Sequence, residues 1–171
     1  MEEGGKERLD SYMSLNLDDA RFNIKRDQRI IGLVDEYNKN RGYYDLVSDK
    51  AEFQKDFGLD DVDYSLFRGL NAKQGQDLLV LKLKQKNPEI DPLQFEQKFK
   101  VVSAFSREIA DAIAERRTIQ DRIKIEATTP AQVDVLQKDV DKLTDFVDLR
   151  RAQINTLTEE YQPGAPKKIL D

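Results

Sequence analysis

The sequence predicts a mainly α protein, with short N-terminal helices followed by a long antiparallel, coiled-coil-like helical hairpin. Three observations predict it. The first is an apolar seam at alternating three- and four-residue spacing: Val133, Leu136, Val140, Leu143, Val147, Arg150, Ile154, Leu157 and Tyr161. Only Arg150 interrupts it, and a mean period of 3.5 held this long is the pattern of coiled-coil packing. The second is a matching seam upstream, at Phe95, Phe99, Val102, Ser106, Ile109, Ile113, Arg116, Gln120 and Ile123. Ser106, Arg116 and Gln120 break it, while Phe105, Ala112 and Ile119 widen it. The third is the short break Glu126 to Gln132 between the two. Thr129 is a natural N-cap, Pro130 suits the first helical position, and Gln132 completes a capping box.

A break this short makes the two arms antiparallel neighbours. Folding about Ala127 and Thr128 sets Ile123 against Val133, Ile113 against Leu143, Ile109 against Val147, Val102 against Ile154, Phe99 against Leu157 and Phe95 against Tyr161. Arg150 then lies opposite Ser106, a small residue past which a long side chain reaches water. Each arm is about 45 Å long at the rise of an α-helix.

In chain order, residues 1–16 read as a flexible or docking arm, polar and glycine-containing, with Tyr12 and Met13 as anchor points. Residues 17–90 form an N-terminal helical region. Its first helix is expected over Asp18 to Asn38, capped by Asn16, with Ala20, Ile24, Ile31 and Val34 on one side, widened by Ile30 and Tyr37. Arg21, Lys25, Arg26 and Arg29 make a basic band on it, and Gly42 is expected to supply a left-handed stop. Ser48 is expected to cap a brief helix carrying Ala51, Phe53 and Phe57, closed by Gly58. A further short helix is expected over Ser65 to Leu70. Residues 76–86 alternate at Leu79, Leu81 and Leu83 as a strand does, but Leu, Lys and Gln are helix formers and no second strand lies nearby, so helix is favoured. Asp91 and Pro92 open the hairpin, 91–161, and 162–171, with Pro163, Gly164 and Pro166, reads as an extended tail.

Composition narrows the function. Charged residues are 36% of the chain, hydrophobic ones 39%, and mean hydropathy is −0.70, which suits elongated helices with a narrow buried seam. With no Cys and no His, thiol chemistry, Cys/His zinc sites and imidazole bases are ruled out. A net charge of −5 without a basic run argues against nucleic acid and anionic lipid as partners. The longest apolar run, Leu78 to Leu81, is too short to cross a membrane, and the first residues carry no secretory signal, so a cytoplasmic or virion location is expected.

No catalytic residues and no cofactor are expected. No phosphate-binding glycine loop is present, and Asp56-Phe57-Gly58 lacks every other part of the kinase site whose metal-binding tripeptide it spells. Asp56, Asp60, Asp61 and Asp63 form the densest acidic cluster, but they miss the calcium-loop offsets. The expected function is a non-enzymatic structural or assembly protein acting through protein partners or self-association, such as a subunit of a virion. A regulatory adaptor for one helical partner is the alternative, and a divalent-metal protein using Asp56 to Asp63 is a further one. Candidate partner-binding residues are Ile169 and Leu170 at the tip of the tail, and the two seam charges Arg116 and Arg150.

Overall fold

The fold was read from a computed structural model, which describes residues 2–127 and 129–162, with side chains from residue 20 onward. The described residues are helical throughout, apart from turns and connections. The chain divides into two compact units, Met1–Asn40 and Arg41–Asp171.

The first unit is one helix, α1, Glu2–Lys39. The helix expected from Asp18 therefore begins far earlier. Asn16 lies inside it rather than at its start, and residues 2–16 of the expected arm belong to it. Local propensity misled here, because a cap residue marks a helix start only where the preceding residues have no helical path of their own.

The second unit holds α2 (Arg41–Ser48), α3 (Lys50–Phe57), α4 (Asp61–Ser65), α5 (Ala72–Lys86), α6 (Pro92–Ile125), α7 (Pro130–Thr158) and a 3-10 turn, Glu159–Tyr161. Two long helices, α6 and α7, pack against each other as the predicted hairpin. The caps are the predicted ones. The Thr129 hydroxyl accepts from the Gln132 amide at 3.2 Å, and the Gln132 side chain accepts from the Thr129 amide at 3.2 Å. Asp91 accepts from the Leu93 amide at 3.0 Å, with Pro92 next to it.

Burial along the hairpin is graded. Phe95, Phe99, Val102, Ile109, Val147, Ile154 and Tyr161 are buried. Ile113 and Leu143 are half-buried against the core, and Ile123, Val133 and Leu136 near the turn are half-buried too. The difference follows from α2 and α3, which pack on α6 and α7 and cover only part of the hairpin.

The core is aromatic. Phe57, at the end of α3, lies 5.4 Å from Phe53, 6.2 Å from Phe99, 6.4 Å from Phe95 and 6.1 Å from Tyr161, centroid to centroid. Phe53 also meets Phe67 edge-on at 5.2 Å. Leu79 and Leu83 of α5 join this cluster, which decides 76–86 in favour of helix. An Asn71–Gln74 capping box starts that helix.

Glycines and caps between these helices do work that differs from the sequence expectation. Gly42 is not a left-handed stop: it sits in the first turn of α2, where a Cβ would meet the Ser103 carbonyl oxygen at 2.3 Å. Its role is to let α2 approach α6. Gly75 admits Tyr43 in the same way, since a Cβ there would meet the Tyr43 hydroxyl at 1.5 Å. Ser48 does not cap α3. Asp49 holds that position, and the Ser48 hydroxyl donates to the Asp45 carbonyl instead. Gly58 does end α3 in the left-handed region, at φ 63°. The short helix expected over 65–70 lies earlier, at Asp61–Ser65, because Asp60 and Asp63 form a capping box that starts it there.

Candidate interaction surfaces

The two seam arginines turn inward to their own hairpin. Arg150 does not pass out beside Ser106. Its guanidinium lies over the rings of Phe105 and Phe146, at 4.6 and 5.0 Å, and pairs with Glu108 at 2.7 Å. Stacking on two rings and meeting a carboxylate keeps its charge compensated beside the seam. Arg116 donates to the Thr144 hydroxyl at 3.1 Å. Both contacts lock the register of α6 against α7. Ile169 and Leu170 lie outside the described residues, as does the tail expected over 162–171 beyond Gln162.

The acidic stretch 56–63 is dispersed by the fold. Asp56 is buried and faces inward. Asp60 caps α4. Asp61 accepts from Gln54 at 3.0 Å and pairs with Lys50 at 3.3 Å, and the Gln54 bond first among these holds its carboxyl below the ordinary range. Asp63 pairs with Lys82 at 3.2 Å; partial burial opposes its ionisation, but the Asp60 amide and Lys82 outweigh that and keep its pKa low. Among the described residues no three acidic side chains come together to hold a metal ion.

A cavity of about 40 Å³ lies where α2, α3, α6 and α7 meet. Leu46, Ile109 and Ile154 form apolar walls, and Asp56 lines it at 4% exposure. Arg151 also lines it, paired with Asp49 at 3.5 Å and Glu52 at 3.3 Å. Burial, then the neighbouring Glu52, pushes the Asp56 carboxyl up to about 7, against the opposing pull of Lys55. Sequence reasoning grouped Asp56 with the solvated acids and missed Arg151. Spacing offered one signal: Asp56 follows Phe53 by three residues, on the face that α3 buries.

This carboxyl makes stability depend on pH. Its folded pKa exceeds the ordinary 3.8, so the folded state holds the proton more tightly. The stabilising contribution is complete below pH 4 and is lost as pH rises toward 7. Asp56→Asn keeps the shape of the neutral acid without the charge. It should match the wild type at pH 4 and exceed it at pH 8 by about 2 kcal/mol, the three-unit shift being halved because water reaches the cavity. Thermal melting of both proteins at the two pH values measures this difference.

Seven of the fifteen exposed large apolar side chains described lie on α1. Phe22, Ile31 and Leu33 are 68%, 58% and 61% exposed, and Ile24, Ile30, Val34 and Tyr37 are about half exposed or more. At 100° per residue, Ile30, Leu33, Val34 and Tyr37 fall on one side, Arg21 and Lys25 lie on the far side, and Arg29 borders the apolar side. The side expected from the sequence, Ala20, Ile24, Ile31 and Val34, lies about a quarter turn round the helix from this one, and its residues are exposed as well. Apolar patches of this kind mark interaction sites on soluble proteins. Of the basic band seen in the sequence, Arg26 falls among the apolar residues of this side and pairs with Asp27 at 3.6 Å.

The chain matches no family model, no curated protein and no solved structure. Among the described residues no helix is long and apolar enough to cross a membrane.

Proposed function

We propose that this protein is a non-enzymatic structural or assembly component that works through protein–protein contacts, as a subunit of a larger assembly such as a virion, in the cytoplasm or in the particle itself. The exposed apolar side of α1 carries the reading. A helix of 38 residues, about 57 Å long, gains most of its stability in proteins from covering its apolar face. Here Ile30, Leu33, Val34 and Tyr37 on that face are all exposed, and Phe22, Ile24 and Ile31 elsewhere on the helix are exposed too. The second unit supports the same view. Its Asp56 cavity is lined by Leu46, Ile109 and Ile154 with an ion-paired Arg151 beside them, and the seam arginines Arg150 and Arg116 bind Glu108 and Thr144 of their own hairpin.

The test is the native mass of the tagged chain in extracts of the cells that express it. We expect it to run in an assembly far above its own 19.8 kDa. Ile30→Glu with Leu33→Glu should return it to a small species, because two charges then sit on the docking face. A wild-type chain running at its own mass would overturn the reading. A complex with one partner at fixed stoichiometry would favour the adaptor alternative instead.

A further inference from the structure

We propose that the exposed face of α1 pairs antiparallel with the same face of a second copy of this chain. This deepens the assembly reading and rests on it. The argument is a register that the residues of α1 specify for themselves. Arg26, Ile30, Leu33 and Tyr37 recur at alternating four- and three-residue spacing along the apolar side. When two such helices run antiparallel, each position of one kind in the seam faces the other kind in its partner. Ile30 then faces Leu33 of the second copy, and Arg26 faces the ring of Tyr37 of the second copy, a favourable cation–aromatic contact.

The flanking charges agree with that register. Arg29 and Glu36 lie on the same side of the seam, one residue before Ile30 and Tyr37. They are about 10 Å apart along their own helix, too far to pair there. Within the described residues neither forms an ion pair. In the antiparallel register Arg29 of each copy meets Glu36 of the other, twice over, as a two-fold contact requires. A parallel pair forfeits this. It sets Arg26 against Arg26 and leaves Arg29 beside Val34. The antiparallel overlap runs over residues 24–39, about 24 Å and two heptads, so the pair should dissociate on dilution.

Light scattering of the purified chain over a wide concentration range tests the pairing. The expected mass rises from one chain to two. Glu36→Arg and Arg29→Glu, each alone, bring like charges together at both ends and should weaken the dimer about tenfold. Combining the two substitutions restores opposite charges and should restore the dimer. Both side chains are exposed on a helix, so circular dichroism should be unchanged in all three variants. A monomer at every concentration overturns the proposal, and so does a dimer indifferent to the single reversals. Failure here remains distinct from failure of the assembly reading. A purified monomer that still enters a large complex in extract sinks the self-pairing alone. A purified dimer that stays a dimer in extract sinks the assembly reading alone.

Discussion

Phe57→Ala should lower the stability of the second unit by about 4 kcal/mol, the upper range for truncating a buried aromatic. Phe57 is 1% exposed, and its ring is the meeting point of three elements. It touches Phe53 within α3, Phe95 and Phe99 on α6, and Tyr161 in the turn that follows α7. Truncation removes the apolar area and also leaves a void that four rigid rings cannot close. For a unit of this size the melting temperature should fall by about 12 °C. Because Phe57 bridges α3 to both hairpin arms, the loss should appear as one cooperative transition. A fall below 1 kcal/mol would mean that α3 is not seated on the hairpin.

Leu143→Asp should destabilise nearly as much, by about 3 kcal/mol, by placing an unpaired carboxylate between the arms. Leu143 and Ile113 are both packed against the core, and neither is fully enclosed. The half-burial keeps the expected loss below that of a sealed site. The two cations of the seam itself, Arg116 and Arg150, are occupied by Thr144 and Glu108. Chemical denaturation followed by circular dichroism reads the effect. A wild-type midpoint would refute the pairing of Ile113 with Leu143.

The hairpin was legible because its signals reinforce one another. Seam period, break, Pro130 and the Thr129–Gln132 box all select one register, and each is a short-range rule with a known geometry. Elsewhere the sequence was ambiguous for reasons that the structure makes plain. Gly42 is the residue type of a helix stop, yet it is needed for close contact with Ser103, sixty-one residues further along the chain, and nothing near Gly42 in sequence encodes that approach. Ser48 and Asp49 are both good caps, and α3 starts after the second. Asp56 resembles its acidic neighbours until α3 folds onto α7 and brings Arg151 into the lining of its cavity. The face of α1 shows the opposite limit. Periodicity revealed an apolar side, but periodicity carries no information on whether anything covers it.

Residues 41–171 expressed without α1 provide the most direct measurement, because on this reading the unit folds by itself and leaves α1 to the assembly. Thermal melting of this fragment should give one cooperative transition at the temperature of the intact chain's main transition, since the aromatic core and hairpin lie wholly within it. Loss of that transition, or a fall of more than about 10 °C, would show that α1 completes the core. The face assigned here to assembly would then be part of the protein's own interior.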